Sequence, residues 1–212
     1  AYHDKTTEFT MSDRAVIENC KVTAASPKSW IDSYGGGVYV SSGSSLTLKD
    51  NTKITGCSAK NTAGGATHGG GIFVDGNLTI AGNAEIGENC TAGIGSGIYM
   101  ELPSYSSASK NLYANGGVVK GEVVLNNSSN YGGTIKITGS DEGATVFEGT
   151  VRSNGGTIEK GTFTGEVINN GTITGGEFSG EVTNNKTISG GTFTTVINGE
   201  GGTITEGVSI TT

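Results

Sequence analysis

Proline is nearly missing from this chain of 212 residues: there are two, with one Trp, two Met and only two Arg, Arg14 and Arg152. Strong helix formers are scarce, which points away from a helical fold. No run of about 18 apolar residues exists, so a membrane-spanning helix is excluded and no membrane insertion of this segment is expected. Neither end carries a signal-peptide or lipidation pattern. Ala1 in place of an initiator Met points to removal of a leader or upstream region. The formal charge of −7 comes without any basic block. The electrostatic term that draws nucleic acid is therefore lacking, and no nucleic-acid partner is expected. A C-x-x-C pair is also missing, and the two His, His3 and His68, lie far apart. No metal and no cofactor are expected.

What the chain has is glycine, 38 residues of it, together with Thr, Ile, Val and Asn in fixed register. From Gly156 a unit of 15 to 16 residues recurs: Gly156-Thr-Ile-Glu-Lys-Gly-Thr-Phe-Thr-Gly-Glu-Val-Ile-Asn-Asn170, then Gly171-Thr-Ile-Thr-Gly-Gly-Glu-Phe-Ser-Gly-Glu-Val-Thr-Asn-Asn185. A third copy starts at Lys186 and a truncated fourth at Gly202. The period is too short for a helical solenoid and fits one turn of a β-solenoid, whose turns bury apolar residues by stacking on each other. The expected ladders are Ile158/Ile173/Ile188/Ile204, Phe163/Phe178/Phe193 and Val167/Val182/Ile197.

The first half carries a longer, three-strand unit. Glycine runs lead into alternating triplets at Gly35-Gly-Gly-Val-Tyr-Val40, Gly69-Gly-Gly-Ile-Phe-Val74 and Gly95-Ser-Gly-Ile-Tyr-Met100. Apolar-x-apolar triplets follow at Phe9–Met11, Leu46–Leu48, Leu78–Ile80 and Leu112–Ala114. Third come Ile17-Glu-Asn-Cys20, Ile54-Thr-Gly-Cys57 and Ile86-Gly-Glu-Asn-Cys90. These predict an all-β, single-stranded parallel β-helix, right-handed, wide over residues 1–114 and tapering to narrow turns over 115–212. A β-sandwich is the alternative, since short strands between turns suit it too. The chain ends in register without a cap, so a piece of a longer protein with neighbouring domains is expected. Stacked at the strand spacing of about 4.8 Å, the three Cys are expected to form a reduced, buried ladder rather than disulfides, which need a Cβ separation nearer about 3.8 Å.

Excess length falls at corners: 24–34, 59–68 and 101–111. Such excursions leave the stacking intact and carry specific features. Alternation that turns Val38/Val40, Ile72/Val74 and Ile98/Met100 inward turns Tyr39, Phe73 and Tyr99 outward. The three aromatics are expected to form an exposed stripe flanked by Trp30, Asp32, Tyr34 and His68, with Tyr39, Phe73, Tyr99, Trp30 and Tyr34 as candidate ligand-binding residues. Aromatic faces suit sugar rings or an apolar protein partner. The competing reading makes the stripe a stabilising stack, covered by the loops, on a passive stalk.

Catalytic signals are weak. Lyase chemistry needs a Lys or Arg base beside carboxylate-bound Ca²⁺, and glycosidase chemistry needs converging carboxylates. The Asp are scattered with no Asp-Asp pair. The best acidic set, Glu122, Glu166 and Glu181, reads as a solvated edge, with Glu166 and Glu181 in adjacent turns. No catalytic residues are expected. The Asn pairs 126/127, 169/170 and 184/185 read as turn ladders bonded to each other or to backbone. Thr157, Thr172, Thr187 and Thr203 should form an outward Thr column, which keeps ice binding as an alternative, although Glu159 and Ser189 interrupt its Thr-x-Thr pattern.

The Gly-Gly-Gly-(Val/Ile)-(Tyr/Phe)-Val runs resemble the glycine-rich repeats of polymorphic outer-membrane proteins and other bacterial adhesins built as parallel β-helices. The Gly-Thr-Ile-x-x-Gly-x-Phe unit looks like the repeats of large secreted surface proteins. The resemblance implies an extracellular, cell-surface location and a non-catalytic adhesin or stalk that binds a glycan or host surface protein. A polysaccharide-active lyase or hydrolase and a purely structural spacer are the alternatives.

Overall fold

The computed structural model describes residues 7–25, 32–140, 143–205 and 208–211. His3 and Trp30 lie outside the described residues. Among those described the chain is all-β, and a single sheet system of 20 strands runs from end to end. Its strands pair in parallel with the strand one turn later, as a β-helix requires. Ile158 is the register partner of Ile173, and Ile173 of Ile188, which excludes the sandwich.

Three faces result. The first stacks Val38–Val40, Ile72–Val74, Ile98–Leu102 and Val123–Asn127, then continues from Val151. The second stacks Glu8–Met11, Ser45–Leu48, the starts of Asn77–Glu88 and Ser109–Val119, then Thr134–Thr138. The third runs from Val16–Glu18 through Lys53–Thr55 to Val146–Phe147 and Thr162–Phe163. Wide turns persist up to Val151, and the tight repeat starts there, with Val151 paired to Val167 and Val167 to Val182.

Period-2 alternation places one side of most strands of this sheet system in a continuous apolar core, while Thr203–Ile204 and Ser209–Ile210 are exposed. Of the positions expected inside, Leu46, Ile54, Ile72, Leu78, Ile86, Ile158, Phe163, Ile173 and Val182 are sealed, and Val38 packs on the core while partly open. In the narrow part Phe147, Phe163, Phe178 and Phe193 stack with centroids 4.8, 4.6 and 4.5 Å apart and planes within 8°. Phe147, in the least regular stretch of sequence, heads the ladder. Full burial of each ring contributes roughly 1.5–3 kcal/mol.

Polar side chains are buried singly at Thr52, Thr145 and Ser153, and in a ladder at Asn169 and Asn184. Buried Asn169 donates from Nδ2 to Asn184 Oδ1 at 2.8 Å, and Asn184 donates to Asn198 Oδ1 at 2.7 Å. A second, exposed column joins Asn185 to Asn170 and Asn170 to Asn154. The expected Asn ladders are therefore present, split into an inner and an outer row.

The corner before each Cys is left-handed, at Asn19 (φ 56°), Gly56 (φ 62°) and Asn89 (φ 55°). Asn and Gly tolerate that conformation best. Beyond it Cys57 and Cys90 are buried and free, so the ladder forms there as expected. Cys20 departs from the expectation: it is exposed, because no described strand stacks on its outer side.

Candidate functional site

Described parts of the first two corner excursions form strands of their own. Lys21–Ala24 pairs in parallel with Ser58–Asn61, and Ser33–Tyr34 with Thr67–His68. Bridges from Ser58 to Thr91 and from His68 to Ile94 extend both stacks by one turn. The excursions thus form a small side lobe that leans on the first face. Gly36 sits at the junction, where a Cβ would come within 2.5 Å of Ser58 backbone.

Against that lobe stand the aromatics of the glycine-run strands. Tyr39, Phe73 and Tyr99 are in register, with ring centroids 5.1 Å apart at 8° and 5.6 Å apart at 19°. Tyr34 meets Phe73 edge-on at 4.6 Å, stacks on His68 at 5.4 Å, and His68 in turn packs against Tyr99 at 4.5 Å. The lobe therefore covers most of the expected open stripe. Phe73 and Tyr99 are only 3% and 5% exposed and join Val124 in a separate apolar cluster, whereas Tyr39 stays 53% exposed. Of the candidate residues, Tyr34, Tyr39, Phe73 and Tyr99 come together, but only Tyr39 and part of Tyr34 reach solvent.

The open end of the stripe adjoins a crevice of about 240 Å³ lined by Tyr34, Tyr39, Phe73, Asp75, Glu101 and Tyr105. Val74 pairs with Met100, so Asp75 and Glu101 occupy matching positions one residue on, in adjacent turns. Buried Lys110 forms an ion pair with Asp75 and donates to the Glu101 carbonyl oxygen. Among the described residues no cation or hydrogen-bond donor reaches the Glu101 carboxylate. Burial raises the Glu101 carboxyl above its ordinary range, Asp75 adds to the rise, and Lys110 offsets part of it. Burial pushes the Tyr34 phenol up to about 12, helped by Asp32, whose carboxylate accepts its hydroxyl at 3.2 Å. Burial also raises Tyr39, with Asp75 and Glu101 contributing, so these phenols remain donors at neutral pH. His68 is lowered by burial against the opposing pull of Asp32 3.9 Å away, and its buried Nδ1 has no partner among the described residues.

Asp75, Glu101, Lys110 and Tyr105 were not distinguishable in sequence as parts of one site. Asp75 and Glu101 each follow a glycine-run triplet, which is the one signal that aligns them.

The other candidates resolve differently. Glu122 accepts from Arg152 Nε at 2.7 Å and from the Gly95 N–H at 2.8 Å, which ties it into the scaffold. Glu166 and Glu181 flank paired Val167 and Val182 and are both exposed, as a solvated edge would be. No group of three metal-ligating side chains occurs among the described residues. The Thr157/Thr172/Thr187/Thr203 column is in register, while beside it Glu159 is held by Lys136 at 2.6 Å. No family model, curated protein or solved structure matches this chain.

Proposed function

We propose that this chain is a non-catalytic module of a secreted or cell-surface bacterial adhesin: a rod whose first face bears one lateral glycan-binding crevice. The observation that carries this reading is Tyr39. Its ring lies flat on Phe73 yet is half open to solvent at the mouth of a crevice that also holds polar acceptors. A supported aromatic face beside carboxylates and phenolic hydroxyls matches the apolar face and polar rim of a sugar ring. At about 240 Å³ the crevice lies below the roughly 300–1,000 Å³ of sites that enclose a whole small molecule. It suits a terminal or single internal sugar of a chain that passes along the rod.

The ion pair of Asp75 with Lys110 supports binding rather than hydrolysis. Glycoside hydrolysis needs two carboxylates available to the substrate, and here Glu101 alone lacks a protein cation among the described residues. Elsewhere on the rod the covered aromatics and in-register ladders favour a spacer role.

Glycan-array binding by the wild type and by a Tyr39→Ala/Tyr105→Ala variant tests the proposal. Both side chains are exposed, so the variant is expected to keep its fold and lose at least tenfold in affinity. Equal binding by both proteins would remove the crevice from the function and leave the stalk. Incubation with pectic and glycosaminoglycan substrates, with and without Ca²⁺, is expected to release no new reducing ends or unsaturated products.

A further inference from the structure

We infer that the crevice selects an amino sugar with a free ammonium group, and that Glu101 makes the selection. The inference rests on the reading of the crevice as a glycan site and specifies the ligand class. Among the described residues the cation at the crevice, Lys110, is already engaged. Lys110 is buried against Asp75, and among the described residues the Glu101 carboxylate has no cation of its own. Asp75 lies in the adjacent turn, and Asp32 stands behind Tyr34 and His68. Glu101 is thus a half-buried carboxylate whose acidic neighbours Asp75 and Asp32 already have partners in Lys110 and the Tyr34 hydroxyl.

A neutral sugar settling over Glu101 would strip water from the carboxylate without returning a charged partner, which is unfavourable. A uronic acid would add like-charge repulsion. An ammonium group supplies the missing counter-charge as a charge-assisted hydrogen bond. The remaining walls favour the same ligand, since the rings of Tyr34, Tyr39 and Tyr105 offer electron-rich faces to a cation. The flat Tyr39–Phe73 stack supplies a platform for the sugar ring itself, for which a lysine side chain has no use.

Calorimetric titration of the full chain with a glucosamine hexamer, its N-acetylated counterpart, a galacturonate hexamer and a lysine hexapeptide tests the inference. The glucosamine oligomer is expected to bind at least tenfold more tightly than the N-acetylated one, and the galacturonate not at all. In Glu101→Gln the preference should fall below threefold while the affinity for the N-acetylated oligomer is kept. A Glu166→Gln/Glu181→Gln variant, which removes two negative charges away from the crevice, should keep the preference. Equal wild-type affinity for the two hexamers would overturn the inference and leave the glycan reading standing. So would a preference that survives in Glu101→Gln, is lost in Glu166→Gln/Glu181→Gln, or is exceeded by the lysine peptide. Failure of every hexamer to bind the wild type would overturn the glycan reading itself. Matching circular dichroism and urea midpoints for wild type and Glu101→Gln establish that a lost preference is not lost folding.

Discussion

Tyr34 meets Phe73 edge to face, 4.6 Å between ring centroids, and so joins the side lobe to the first face of the helix. Its partners His68 and Phe73 come from the next turn, which makes one phenol the pin between two layers. Tyr34→Ala is expected to lower unfolding free energy by about 2–3 kcal/mol, below the roughly 3–5 kcal/mol of a fully buried aromatic because the ring is partly open. Tyr99 should become more accessible in the same variant. Urea unfolding and iodide quenching of tyrosine fluorescence measure the two effects, and unchanged quenching would show that the lobe is held by something else.

Thiol chemistry should divide the cysteines. Cys20 is exposed, Cys57 and Cys90 are buried, and burial pushes the Cys57 thiol up to about 11. A disulfide-exchange reagent at pH 8 is expected to titrate one thiol rapidly in the native protein and three after denaturation. Rapid native labelling of two or more would contradict the buried ladder.

Alkaline pH should loosen the fold in a defined window. Folding raises Cys57 from 9.0 to about 11, chiefly by burial, and Tyr34 and Tyr99 from 10.0 to about 12. Above pH 9 the unfolded chain releases these protons before the folded chain does, so stability falls as pH rises. The urea midpoint is expected to be flat from pH 7 to near 9 and to drop between 9 and 12. In Cys57→Ala the earliest part of that drop should shrink, the remainder coming from Cys90, whose thiol is also raised by burial. A midpoint still flat at pH 11 would mean that the groups titrate alike in both states.

The two asparagine columns make opposite predictions. Asn184→Ala leaves the buried Asn169 amide without its Asn184 acceptor and removes the donor to Asn198, at a cost of about 1–3 kcal/mol per orphaned group. Asn185→Ala deletes only an exposed bond to Asn170 and should stay within about 0.5 kcal/mol of wild type. Chemical denaturation of the two variants decides, and similar losses would place the ladder energy in the outer row.

What sequence revealed and what it hid follow from range. The Ile158 and Phe163 ladders were legible because the same residue recurs at a fixed offset and occupies the same environment, whereas the expected Val167/Val182/Ile197 ladder holds only to Val182: a register shift between Phe178 and Glu181 makes Val196 the next rung and leaves Ile197 exposed. Phe147 was obscured by the irregular stretch before it, where no offset applies. The side lobe was harder still: Lys21-Val-Thr-Ala24 and Ser58-Ala-Lys-Asn61 pair along their whole length without resembling each other. Tyr39, Phe73 and Tyr99 could be placed outside the core, yet their exposure depended on Tyr34 and His68 in that unrecognised lobe. The crevice was hidden for a simpler reason. Asp75 and Glu101 share only their place after a glycine-run triplet, Tyr105 and Lys110 share no motif with them, and the four meet only when the turn length is known.

Near repetition of register makes the length of the rod a free variable. Residues 171–185 begin and end at equivalent points, so their removal would join Asn170 to Lys186 and set Ile188 where Ile173 stood and Phe193 where Phe178 stood. The Ile and Phe ladders would close again with one rung fewer, and duplication would add one as smoothly. The narrow segment can therefore change its copy number without altering the cross-section of the rod or the crevice on the wide turns, which lets reach and recognition evolve separately.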